Sequence, residues 1–172
     1  VSAQAVKFNR TPRYLELPRI GLRMGVNKAL DSVEYLGKGP WANYIDRAYS
    51  SDVGVYKSKV AQWFEPFTLT QDSGNREKVR WLALSDGKSG VLFTAENPLA
   101  MSVLPNTQAE LKKAKHPYLL PESSATDLRI AGKVIGLGNG SCGLPPRDEF
   151  RIDFKGSIEW KFVIRPLADV SA

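Results

Sequence analysis

The sequence predicts an all-β fold, an antiparallel sandwich with one short helix, and three observations carry that prediction. Short runs alternate apolar with polar residues, and turn dipeptides separate them. The 14 Gly and 11 Pro among 172 residues also lean away from a helical bundle.

Taken in order, residues 1–14 read as a linker or a leading strand, residues 15–167 as one domain, and residues 168–172 as a tail. Ile20, Leu22 and Met24 place one apolar face on a strand at 180° per residue. Val79, Trp81 and Ala83, then Val91, Phe93 and Ala95, then Leu128 and Ile130 repeat the pattern. Asp86-Gly87, Ser73-Gly74 and Ser89-Gly90 supply turn chemistry between runs. One helix has a proper start, because Thr107 and Glu110 match a capping box. Leu111 and Ala114 share its face, and His116-Pro117 ends it after about two turns. Near the C-terminus, Phe150, Ile152 and Phe154 alternate with Arg151, Asp153 and Lys155, and Trp160, Phe162 and Ile164 do the same. With Lys155-Gly156-Ser157 between them, the two runs predict a hairpin.

Composition narrows the function classes. With 42% hydrophobic, 10% aromatic and 24% charged residues the chain can bury a core. No run approaches the roughly 20 apolar residues of a membrane span, and the start has no signal-peptide h-region. The chain is therefore expected to be soluble, with no membrane partner and with the compartment, cytoplasmic or periplasmic, left open. A single Cys142 excludes an internal disulfide framework, and one Cys with one His, His116, cannot build the usual zinc sites. The net charge of +6 invites nucleic-acid binding, yet the excess lies at one end. Residues 1–40 hold seven Lys/Arg against three acids, net +4, and residues 41–172 hold 17 against 15, net +2. The only tight basic run, Lys112, Lys113 and Lys115, reads as a solvated helix face, so no nucleic-acid partner is expected.

The chemical candidates are few. Gly136-Leu-Gly138-Asn-Gly140 lacks the following Lys-Ser/Thr of a phosphate loop, and Pro145-Pro146 block a helix that would offer its N-terminus. Cys142 has only His116 as a possible base, and a serine triad meets the same shortage. Asp148 and Glu149 would point to opposite faces of a strand and cannot act as a glycosidase pair. Asp46 and Asp72 sit beside basic or turn residues and read as structural hydrogen-bond acceptors. The segment Tyr35-Leu-Gly-Lys-Gly-Pro-Trp-Ala-Asn-Tyr-Ile-Asp-Arg47 is denser. Trp41 and Tyr44 offer flat faces for a sugar ring, and Asn43, Asp46 and Arg47 offer hydrogen bonds. In the alternative reading, Asp46 and Arg47 tie a loop to the sheet and the aromatics are core.

Leu17-Pro-Arg-Ile-Gly21, Tyr35-Leu-Gly-Lys-Gly-Pro40 and Asn43-Tyr-Ile-Asp-Arg47 come in the order found in the C-terminal domain of family 2 β-galactosidases, which this chain resembles. Gln71-Asp-Ser-Gly-Asn-Arg76 leading to Val79-Arg-Trp-Leu82 is similar to that family's Pro-Gln-Glu-Asn-Gly-Asn-Arg and Arg-Trp segments. His116-Pro117 and Gly136-Leu-Gly-Asn-Gly-Ser-Cys142 complete a likeness covering roughly residues 15–165. The resemblance implies an antiparallel β supersandwich, galactose mutarotase-like in topology, at the end of a larger, oligomeric retaining enzyme for terminal β-D-galactosides. It puts both catalytic glutamates on an upstream TIM-barrel domain, which with the sandwich domains would be this chain's partners. It also assigns no cofactor to this domain, and any Mg²⁺ or Na⁺ to the parent.

The same resemblance places Asn139, Ser141, Cys142 and Leu144 on a loop that carries a sugar-platform Trp in several family members. Cys142 stands near that position and cannot stack, so another residue such as Leu144 takes the task or aglycone contact is weaker. Ala42 replaces the family's acid before Asn-Tyr, and Thr70-Gln71-Asp72-Ser73 replaces Pro-Gln-Glu-Asn. The expected substrate-proximal set is therefore Trp41, Asn43, Tyr44, Asp46, Arg47, Asn139, Ser141, Cys142 and Leu144, with no catalytic and no metal residue. Two rivals stand beside this reading: a free-standing carbohydrate-binding module using Trp41, Tyr44 or Trp63, and a mutarotase-like epimerase, for which no acid/base pair is found.

Overall fold

The computed structural model describes residues 2–4, 17–138, 143–152 and 158–168. Its strands are β1 (Ser2–Gln4), β2 (Arg19–Asn27), β3 (Ser32–Gly39), β4 (Asp52–Lys59), β5 (Arg76–Ser85), β6 (Ser89–Leu104), β7 (Ala125–Val134) and β8 (Glu159–Ala168). All the pairings among them are antiparallel. The helix α1 (Gln108–Lys113) starts as expected: Thr107 Oγ1 accepts from the Glu110 amide, and Glu110 accepts from the Thr107 amide. The architecture is thus the predicted all-β one, with a single short α-helix among the described residues.

The main sheet runs β1-β8-β6-β5-β3-β4, and β7 with β2 branches from it. The branch point lies inside β6. Ser89–Ala95 pair with β8, whereas Ala100–Leu104 pair with β7 on the same side of the strand. Pro98, which has no amide to donate, falls in the changeover, where no neighbour on that side needs one. The facing part of β5 is irregular between Arg76 and Trp81, and Lys78 takes a left-handed φ of 56° there. One strand therefore feeds two layers. Tyr35, Leu82 and Phe93 of the main sheet share a core with Met101, Val103, Leu128 and Ile130 of the branch. Trp63 lies in it, edge-on to Tyr35 at 5.1 Å, with the Arg76 guanidinium 4.5 Å from its ring.

Several expectations change. Phe150 closes a 3-10 turn (Asp148–Phe150), so the predicted strand does not begin there, and Asp148 and Glu149 do not sit on a strand. Their exposed carboxylates pair with Arg151 and Arg147. The proposed hairpin turn and Phe154 lie outside the described residues, while β8 pairs with β1 and β6. Ser89-Gly90 opens β6 and is not a turn. Asp86-Gly87 does turn the chain, with Gly87 at φ 88° and Asp86 Oδ1 accepting the Lys88 and Ser89 amides at 2.8 Å each. Finally, the irregularity in β5 shifts its facing: Val79, Leu82 and Leu84 are buried, and Trp81 and Ala83 point outward.

Candidate functional site

The segment after β3 leaves the sheet at Gly39-Pro40, a cis bond, and returns at β4. Asn43 anchors it from below. Its Nδ2 donates to the Lys38 and Trp41 carbonyls (3.1 and 2.8 Å), and its Oδ1 accepts the Glu77 amide (2.9 Å). Asn75 answers from the neighbouring loop: the Asn43 amide donates to its carbonyl (2.8 Å), and its Nδ2 donates to the Asn43 carbonyl (2.9 Å). Both asparagines are buried, so each bond satisfies a group that water cannot reach. Tyr44 packs against Ala100, Ala131 and Val134, and burial, then the nearby Asp72 charge, push its phenol up to about 12. Lys38 Nζ closes the loop by donating to the Ala48 and Ser51 carbonyls.

Asp46 and Arg47 face the other way, toward the Gly-rich segment. The Asp46 carboxylate accepts the Leu137 amide at 3.0 Å and the Gly138 amide at 2.7 Å, and Arg47 Nη2 donates to the Gly138 carbonyl. Close packing dictates both glycines. A Cβ on Gly136 would stand 2.8 Å from Asp46 Cγ and from Phe150 Cβ. Gly138 has φ 56°, and a Cβ there would stand 2.5 Å from the Pro146 nitrogen. Sequence reading names both segments without joining them, and the joint is visible only once β3 and β7 are placed.

A second polar assembly, missed from sequence, lies beside the loop. Asp72 bridges Arg19 (3.0 Å) and Arg129, and Asp127 bridges Arg129 (2.7 Å) and Arg23. Arg129 and Asp127 are buried, so their charges depend on one another. Asp72 thus has the structural role the sequence suggests. His116 is likewise structural, donating from Nδ1 to the Thr68 carbonyl and stacking on Tyr118.

The nine expected site residues separate by position. Trp41 is 67% exposed and Leu144 80% exposed, each on the surface of its loop. Asp46 and Arg47 join the loops, and Asn43 and Tyr44 lie beneath them. Asn139, Ser141 and Cys142 lie outside the described residues. Of the three stacking candidates of a binding module, Tyr44 (8% exposed) and Trp63 (1%) are core, which leaves Trp41 alone. Among the described residues no three His, Cys, Asp or Glu side chains group to hold a metal ion, and no helix is long and apolar enough to cross a membrane.

The family described as beta galactosidase small chain matches residues 1–164. The chain belongs to this family. A β-galactosidase of Lactobacillus delbrueckii subsp. bulgaricus is 35% identical over 153 residues, covering 88% of this chain and 15% of the relative. One from Actinobacillus pleuropneumoniae is 35% identical over 150 residues, 87% of this chain and 14% of the relative. One from Streptococcus thermophilus is 31% identical over 153 residues, 87% and 15%. The chain therefore spans about 15% of the length of these relatives and corresponds to one domain of a much larger β-galactosidase chain.

Proposed function

We propose that this β-galactosidase small-chain domain is a non-catalytic C-terminal part of a retaining enzyme that hydrolyses terminal β-D-galactosides. Its 40–47 and 138–144 loops border an active site whose nucleophile and acid lie on an upstream barrel. The observation that carries this reading is the clamp of Asp46 and Arg47 on Leu137 and Gly138, which makes one fixed surface of the two family loops.

In a retaining glycosidase a carboxylate forms a glycosyl-enzyme that water then hydrolyses, with a second carboxyl group acting as acid and then as base. A neighbouring domain contributes by orienting the sugar and by excluding bulk water. Trp41 offers an exposed flat apolar face on the first loop, and Leu144 an exposed apolar contact on the second. Asp46, fixed by two amides, holds the loops in place. The domain takes no cofactor, any magnesium or sodium ion belongs to the rest of the enzyme, and the parent is oligomeric.

The reading is tested by incubating the purified 172-residue chain with a chromogenic β-galactoside. The expected result is no hydrolysis above buffer. Turnover that survives purification and vanishes in Asp46→Ala would place catalysis in this domain and overturn the reading.

A further inference from the structure

The outward face of the main sheet carries a row of apolar side chains interrupted by one threonine. Val55 of β4 pairs with Leu36 of β3, Leu36 with Trp81 of β5, Trp81 with Thr94 of β6, and Thr94 with Val163 of β8. Residues directly opposite one another across a sheet share a face. At about 4.8 Å per strand the row is about 19 Å long. The next row, Lys57, Glu34, Ala83, Leu92 and Arg165, widens it with Ala83 and Leu92 at the centre. Val55 is 56% and Val163 48% exposed, and Leu36, Trp81 and Leu92 are partly exposed.

The middle strands are apolar on both faces. In β5, Val79, Leu82 and Leu84 point into the core while Trp81 and Ala83 point out, and in β6 Phe93 points in while Leu92 points out. A half-solvated antiparallel strand alternates apolar and polar residues, whereas a strand covered on both sides reads as an almost unbroken apolar run. At the rim, Lys57 pairs with Glu34 (3.3 Å) and Lys161 with Glu96 (3.6 Å). Arg165 sits at the β8 end of the second row with no carboxylate partner among the described residues. An apolar centre with a charged rim is the anatomy of a protein interface.

We infer that this face is a docking surface for another domain of the same β-galactosidase, one presenting an apolar patch with a carboxylate opposite Arg165. The inference rests on the domain reading above. It is favoured because about 85% of the length of the matched relatives lies outside the part this chain matches, so covering surface is available in the same molecule.

Hydroxyl-radical footprinting of the intact enzyme tests it, with the core residue Trp63 as the internal floor. The expected result is Trp81 oxidation within about two-fold of Trp63 in the unmodified enzyme. Val55→Lys combined with Val163→Glu should raise Trp81 oxidation at least five-fold, whereas Leu119→Lys, on a distant exposed turn, should not. Trp81 oxidised far faster than Trp63 in the unmodified enzyme overturns the inference. So does protection that the double substitution leaves intact, because Trp81 is then shielded by something other than a domain docked on this face. Protection lost together with a change from two copies to one in sedimentation assigns the face to a second copy and also overturns it. Oxidation rates do not depend on turnover, so failure here is distinct from failure of the functional reading.

Discussion

Asp46 and Gly138, 92 positions apart in the sequence, are joined by a 2.7 Å hydrogen bond from the Gly138 amide to the Asp46 carboxylate. The same carboxylate takes the Leu137 amide, so one side chain sets the position of a whole loop. Asp46→Ala leaves two amides without a protein partner. The expected cost is about 2 kcal/mol, the usual penalty for a lost charge-assisted bond in a partly buried place. Denaturant unfolding measures the cost, and amide exchange at Leu137 and Gly138 should accelerate more than exchange in β3.

Gly136 is the steric half of the same contact. Gly136→Ala drives a methyl group into Asp46 and Phe150 and should destabilise the domain by about 1–3 kcal/mol. Gly87→Ala is the comparison. Gly87 has a positive φ, which Gly136 does not, and no atom lies within 4 Å of its missing Cβ, so its cost is a backbone one alone, about 1 kcal/mol. A Gly136→Ala variant as stable as the unmodified domain would show that packing against Asp46 is not what demands a glycine at 136.

The arginine–aspartate assembly makes a larger prediction. Asp127→Ala leaves the buried Arg129 with Asp72 alone and removes the partner of Arg23. The expected loss is about 3–5 kcal/mol by equilibrium unfolding. Lys28→Ala, which breaks the solvent-screened pair with Glu122, should leave the unfolding midpoint essentially unchanged.

Glu77 supplies a pH signature. Burial raises its carboxyl above the ordinary glutamate value, although the Asn75 amide pulls the other way. A carboxyl whose folded value is raised costs stability as it ionises. That cost is absent below the unfolded value near 4.5 and grows as the pH rises through the folded one. Glu77→Gln should therefore raise the unfolding midpoint near neutral pH, with the gain shrinking toward zero below pH 4.5. A gain independent of pH would assign the effect to packing.

Much of this was legible in the sequence because period-2 alternation survives wherever one face is buried, as in β2, and because the Thr107 capping box is local. The parts that were not legible have specific causes. Val53 and Val55 put apolar side chains on the outward face of β4, so its pattern does not mark the core side. The irregularity between Val79 and Trp81 inverts β5, and the eye assigns Trp81 to the core. Asp127 and Arg129 alternate with Leu128 and Ile130 as solvent-facing charges would, and only the folded β2–β7 pair shows them buried. Phe150 and Ile152 fit a strand period while the chain turns through Asp148–Phe150. In the 35–47 segment Tyr35 and Tyr44 are core, as the alternative reading has it, and Trp41 is exposed.

If the clamped loops serve a galactoside site in the intact enzyme, steady-state hydrolysis by the Trp41→Ala variant of that enzyme registers it. Trp41 is two-thirds exposed, so its loss should leave the thermal midpoint unchanged. Removing an aromatic contact of about 0.5–1.5 kcal/mol should lower kcat/KM for β-galactosides about two- to ten-fold. An unchanged kcat/KM across β-galactosides of differing leaving group would contradict the account.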